Sequence, residues 1–245
     1  MSRSPVNRRD PSGTRRIERD EIARQRAILR QYMEAMAEVA VGNDPQRMEV
    51  LDRLDASLKE DLQASADDWL NNAAEATVRN TDRVLNNLHT GIKLGNVRIP
   101  AEEVEALRIN IKTQVADLGN QGLSVVTRNL TEGYQAGLGA DQIKRNIVNE
   151  LPSLEGRAER IVRTETMRVC DTVAKARYDA AGCDGYLSFP TDDDRLCVTC
   201  LGYATGGSGS VLKVYGLDEP MALPWHPNCR CCRLPHFPDQ GEITI

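Results

Sequence analysis

"PWHPNCRCC", Pro224 to Cys232, packs three cysteines and a histidine into seven residues of a chain that has seven cysteines and three histidines in all. Upstream, "DDDRLCVTC", Asp192 to Cys200, supplies a Cys-x-x-Cys step. Two dense clusters of soft ligands imply that the stretches fold onto each other and close a small module. A Cys-x-x-Cys turn sets two sulfurs on one side of a tight knuckle, and tetrahedral Zn2+ needs two such pairs. The first pair is Cys197 with Cys200. The second is His226 with Cys229, Cys229 with Cys232, or Cys229 with Cys231; the spacing does not choose. A structural zinc on four of Cys197, Cys200, His226, Cys229 and Cys231, with Cys232 as a competitor, stands against buried reduced thiols and against a disulfide. A Cys–His nucleophile is the catalytic alternative. Several thiols with near-equal claims, and no evident orienting group, favour a structural role and a chain that is not an enzyme.

The rest of the 245-residue chain is long enough for a sizeable core. Aromatics make up only 4%, with both Phe and both Trp isolated in sequence, which suits helices packed through aliphatic side chains. The formal charge of −5 gives no general attraction for nucleic acid or an anionic membrane. No apolar run approaches the roughly 20 residues of a membrane helix. The first residues lack the apolar stretch of a secretory signal, so reduced cysteines are the expectation.

Working back from the module, the chain reads as mainly α: long bundle-like or coiled-coil-like helices, then a small C-terminal α+β part of short strands and turns. Residues 1–20 carry six arginines against Asp10, Glu18 and Asp20, and with Pro5, Pro11 and Gly13 they read as a basic flexible arm able to touch DNA. Residues 21–137 form the long-helix region. Ile22, Leu29, Met33, Met36 and Ala40 share one helical face. Asp44-Pro45 starts a second helix, whose stripe of Leu51, Leu54, Leu58, Leu62, Trp69 and Ala73 can be followed to about Leu88, with Gly91 and Gly95 beyond it. A third opens at Pro100, with Val104, Leu107, Ile111, Val115 and Leu118 on one side, extended by Leu123, Val126, Leu130, Tyr134 and Leu138. Residues 138–245 form the module: a short helix, a longer one from Ser153 to about Ala181, then strands without helical periodicity and a mobile tip at Gly206 to Gly209.

Two further motifs stand out. In "RAERIVRTETMR" the positions Ile161, Glu165, Arg168 and Thr172 share a face, which puts Glu165 at the edge of the core-facing stripe. A charge there needs a partner, and Arg195 or Arg230 from the cysteine-bearing turns can supply it. In "TDDDR" the aspartates can cap a turn, pair with arginines or bind a cation; a solvated turn is the plainer reading.

Taken together, the order of these pieces resembles the phage head morphogenesis family, the Mu F-like minor head proteins. The matching residues are Arg163-Thr164-Glu165, Gly182, Asp193 or Asp194 with Arg195, Cys197, Cys200, and His226-Pro227-Asn228-Cys229-Arg230-Cys231. They span Ala140 to Pro235, the last two-fifths of the chain. The chain departs from the family by inserting "YATGGSGS" after the Cys-x-x-Cys and by placing Cys232 after Cys-Arg-Cys. The resemblance implies a structural minor head protein of a tailed phage, located in the virion head at the portal vertex and in the host cytoplasm during assembly. It implies a role in head assembly and DNA packaging or delivery, with portal, major capsid or scaffold proteins as partners, DNA contacted through the arm, and no membrane. Only Cys232 to Ile245 follow the motif, which leaves no room for an appended enzyme domain. The competing expectation is a zinc-stabilised nucleic-acid-binding or enzymatic module outside any virion. It calls for a basic patch, whereas residues 152–245 hold ten Lys/Arg against thirteen Asp/Glu.

Overall fold

A computed structural model describes residues 10, 12–42, 45–88, 94, 97, 99–191, 196–207 and 209–239. The helical reading holds: α1 Arg15–Val41, α2 Arg47–Leu88, α3 Ala101–Gln135, α4 Ala140–Asn149 and α5 Leu151–Ala180 precede β1 Gly185–Phe189, α6 Val198–Thr205, β2 Val214–Gly216 and β3 Cys232–His236. No helix among the described residues is long and apolar enough to cross a membrane. Asp44, Gly91, Gly95, Asp193, Asp194 and Arg195 lie outside the described residues, as do residues 1–9 of the arm.

The chain forms two compact units. One comprises Met1–Glu18, Leu70–Leu107 and Arg163–Ile245; the other comprises Arg19–Trp69 and Arg108–Val162. These units do not follow the sequential division at residues 20 and 137, because α1, α2, α3 and α5 each contribute residues to both.

Among its described residues the second unit holds helices joined by turns and no strand. Leu29, Met33, Met36, Leu51, Leu58 and Leu62 are fully buried, as the stripes require. On α3 the buried face runs through Ile111, Val115 and Leu118, then through Gly119, Gly122, Val125, Val126, Asn129 and Gly133. Leu123 and Leu130 are only half-buried, and Tyr134 and Leu138 are exposed, so the expected apolar extension is wrong on those four. The reason is close approach. A Cβ on Gly122 would lie 3.2 Å from Met33 Sδ, and one on Gly133 would lie 2.5 Å from Ile143 Cγ1. Small residues face the neighbouring helices there, and a search for apolar periodicity passes over them. Within the same unit Glu21 is buried; its carboxylate accepts Ser65 Oγ at 2.6 Å and Gln25 Nε2 at 3.0 Å, while burial pushes its pKa up.

The first unit carries the sheet, in the order β2-β1-β3, with both pairings antiparallel. Tyr186 faces Tyr215 on one side and Pro235 on the other, and Phe189 is in register with Cys232. Every residue of β1 is buried. Met167, Cys170, Ala174 and Tyr178 of α5 join Tyr186, Leu187 and Phe189 of β1 in one apolar cluster that also takes in Cys200, Cys229, Cys231 and Cys232. A buried ion pair ties this helix to the sheet. Arg233 meets Asp171 through two bonds of 2.7 and 3.0 Å, donates to the Met221 carbonyl at 2.6 Å, and stands 4.4 Å over the Tyr186 ring. Such a fork pairs the buried guanidinium with a carboxylate and a carbonyl, which a buried arginine requires.

Residues 12–20 do not behave as a flexible arm. Asp10 Oδ1 accepts the Gly13 N–H at 3.0 Å, Gly13 takes φ 75°, and Thr14 is fully buried just ahead of α1. Ser12 and Thr14 share a hydroxyl bond of 2.8 Å, and Thr14 donates to Glu18. Gly13, read as a breaker, and the hydroxyls of Ser12 and Thr14 make the turn that starts the helix.

Candidate metal centre

Cys197 stands at the N-cap of α6 in extended conformation (φ −91°, ψ 157°), and its sulfur accepts the backbone N–H of Cys200 at 3.4 Å. The Cys-x-x-Cys knuckle is therefore the first turn of a helix, which Gly206 ends in left-handed conformation (φ 61°). The inserted "YATGGSGS" is part of this design, since Tyr203 to Thr205 form its last turn. The expectation of no helix beyond Gly182 fails here. Eight residues carry too little periodicity to be seen, and a cysteine cap is not among the usual start signals.

The second half-site is the loop before β3. Cys229 N–H donates to the His226 carbonyl at 3.0 Å, closing a turn in which Asn228 takes φ 63°, a conformation that asparagine tolerates better than most residues. Trp225 anchors the loop from one side. Its ring stacks on Tyr203 of α6 (centroids 4.2 Å apart, planes at 12°), and its Nε1–H donates to Ser188 Oγ of β1 at 3.0 Å. Thr191 Oγ1 donates to the Arg230 carbonyl at 2.8 Å, and the Asn228 N–H reaches Thr164 Oγ1 at 3.1 Å. Sequence reasoning passed over Trp225, Tyr203, Ser188 and Thr191; only the adjacency of Trp225 to His226 pointed to them.

These anchors bring five of the expected ligands together. His226 Nε2 lies 3.2 Å from Cys197 Sγ and 3.0 Å from Cys200 Sγ, and Cys200 Sγ lies 3.7 Å from Cys229 Sγ. Cys197, Cys200 and His226 form one group of mutually close ligand atoms, and Cys200, Cys229 and Cys231 form a second. Cys200 belongs to both. Cys232, expected to compete, lies in neither; it opens β3, fully buried in the apolar cluster. The side chain of Glu165 is buried at 2% exposure and pairs with Arg168 Nη1 at 2.7 Å, a partner on its own helix. Arg163 is half-buried on the preceding turn, and its charge acts on buried Glu18 together with that of Arg230.

The two groups, joined through Cys200, could hold a metal ion, and their chemistry is compatible with zinc. Tetrahedral ligation at the usual bond lengths separates two sulfurs by about 3.8 Å, and a sulfur from a nitrogen by about 3.5 Å. The 3.7 Å between Cys200 and Cys229 matches, and the two sulfur–nitrogen distances fall a few tenths of an ångström short. His226 Nδ1 sits 2.7 Å from the Pro227 carbonyl. A proton on Nδ1 donated to that carbonyl leaves the Nε2 lone pair facing the sulfurs, the tautomer that a metal ligand needs. The thiols polarise one another. The Cys200 N–H, the Cys200 thiol and His226 bring Cys197 down to about 7. Bonds from the Cys200 and Cys231 thiols pull Cys229 far down, and their shared protons push Cys200 and Cys231 up.

No family model, curated protein or solved structure matches the chain.

Proposed function

We propose that this chain is a structural protein whose C-terminal module is closed by one zinc ion on Cys197, Cys200, His226 and Cys229, and that it serves as a minor head protein at the portal vertex of a tailed phage. The observation that carries the metal reading is the approach of His226 Nε2 within 3.2 Å of both knuckle sulfurs while Cys229 lies 3.7 Å from Cys200. Four protein donors leave no open position for activated water, so the ion's work is to cross-link α6 to the loop before β3. Cys231 shares the second group with Cys200 and Cys229 and is the alternative fourth ligand. The head-protein reading rests on the order of the motifs. It is supported by the docking of one on another: Thr164 of the Arg-Thr-Glu helix binds the His-Pro-Asn-Cys loop directly.

Each part has its own test. Elemental analysis of protein prepared without chelator is expected to find about one zinc per chain. His226→Ala should lose most of it, and Cys231→Ser should keep it; the reverse pattern would exchange the fourth ligand. Sedimentation with purified portal protein, with major capsid protein and with DNA tests the wider role. Association with portal or capsid protein is expected, and association with DNA alone would move the chain to the competing class of nucleic-acid-binding modules.

A further inference from the structure

The N-terminal turn and the Cys/His loop share a wall. Asp10 and Glu18 line a small cavity with Thr191 and Arg230. Those same two residues, Thr191 and Arg230, line the cleft over Cys200, His226, Cys229 and Cys231. Arg230 lies between two of the cysteines in sequence, so its backbone belongs to the loop. Its carbonyl is fixed by the Thr191 hydroxyl at 2.8 Å. Its guanidinium is one of two cations acting on the buried Glu18 carboxylate, the other being that of Arg163. The turn is seated from a further side by Thr14, fully buried, whose hydroxyl lies 3.8 Å from Cys170 Sγ on α5.

We infer that Arg230 is a latch by which the Cys/His loop holds the N-terminal turn, Ser12 to Glu18, so that closing the loop around its metal also decides whether that turn is seated or released. The metal half of this inference rests on the zinc reading above; the latch half does not. A loop held by four ligands fixes the backbone from which Arg230 extends to the cavity it lines with Glu18. When the ligands part, Arg230 loses that fixed base and Glu18 is left buried with one cation fewer. A buried carboxylate that loses a partner is costly, so the cheaper outcome is for the turn to leave its seat and hydrate Glu18. The residues released include Arg15 and Arg16, which gives the opening a basic segment to present.

Hydrogen exchange on the full-length reduced protein at about pH 8, where Glu18 is ionised, reads the seat directly through the amides of residues 13–20. Removing zinc with a chelator is expected to speed their exchange about tenfold or more, and Arg230→Ala is expected to do the same with zinc still bound. Zinc removed with these amides unchanged overturns the coupling and leaves the zinc site standing. Zinc retained in Arg230→Ala with unchanged exchange overturns the latch. Should the protein take up no zinc, the metal reading fails alone, and Arg230→Ala against wild type decides the latch by the same amides. Arg230→Gln, which keeps most of the stem and loses the charge, replaces the alanine variant if that one does not fold.

Discussion

The hydroxyl oxygen of Thr164 on α5 accepts the backbone N–H of Asn228 at 3.1 Å, across 64 residues of chain. Asn228 is the left-handed residue between His226 and Cys229, so this bond, with the Trp225 and Thr191 anchors, helps to orient the two proposed ligands. Thr164→Val keeps the shape and removes the acceptor, leaving that N–H without its partner. Zinc affinity, measured by competition with a chromophoric chelator, is expected to fall about 10- to 100-fold, the usual effect of losing a group that orients ligands. Thr164→Ser should restore most of it. A valine variant with wild-type affinity would show that Trp225 alone orients the loop.

Cys200 and Cys232 separate ligation from packing. Cys200 belongs to both ligand groups, and Cys232 belongs to neither. Cys200→Ser is expected to abolish stoichiometric zinc and to loosen α6 and the three strands, while the far-UV helical signal persists. Cys232→Ala should keep its zinc and lose on the order of 1 kcal/mol through the small cavity it opens. Elemental analysis and thermal denaturation of the two variants side by side check both halves.

Glu18 gives the fold a pH dependence opposite to the usual one for carboxylates. Burial raises it from 4.5 to about 7, aided by Asp10 and opposed by Arg163, the Thr14 hydroxyl and Arg230. The folded state therefore holds the Glu18 proton more tightly than the unfolded chain does. Its contribution is full below about 4.5 and is lost as pH rises through about 7. The size is on the order of 3 kcal/mol. Glu18→Gln should flatten this part of the profile and be the more stable protein above neutrality. Denaturant midpoints for both proteins at several pH values between about 4 and 8 measure it; parallel profiles would rule the effect out.

Much of the helical architecture was legible because α1 and α2 bury most of the residues their periodicity singles out, from Leu29 to Trp69, with Leu54 half-buried. The Cys-x-x-Cys and His-Pro-Asn-Cys stretches were legible because few roles require that many soft ligands so close together. What was not legible follows from particular residues. Helix α6 is short and capped by Cys197, and the turn at Ser12 to Glu18 is built around Gly13, which reads as a breaker. The C-terminal half of α3 buries glycines rather than leucines. Gly133→Ala tests that last point, since its Cβ would come 2.5 Å from Ile143 Cγ1. The gain in helix propensity, about 1 kcal/mol, is expected to be outweighed by overpacking of about 1–3 kcal/mol. The same change at Gly156, whose Cβ would meet nothing within 4 Å, should stabilise the helix instead. A denaturation series on the two variants compares them.

The basic N-terminal residues can now be divided by what they do for the fold. Arg15, Arg16 and Arg19 sit on α1, next to buried Thr14 and Glu18, so deleting residues 1–20 would remove a seated turn as well as charge. Arg3, Arg8 and Arg9 precede the described turn, and they can be removed by deleting residues 1–9 without cutting into it. If this segment binds packaged DNA, it does so through phosphates, and removing each arginine that neutralises one should lower the salt slope of binding by about 0.9. Filter binding across a range of salt concentrations is therefore expected to show the 1–9 deletion with weaker affinity, a slope smaller by about 2 to 3, and an unchanged melting temperature. The 1–20 deletion should lose stability in addition, because it exposes Cys170 and the floor on which Thr14 rests. Equal slopes for wild type and the 1–9 deletion would exclude these three arginines from DNA binding, leaving those on α1 as the remaining basic candidates near this end of the chain.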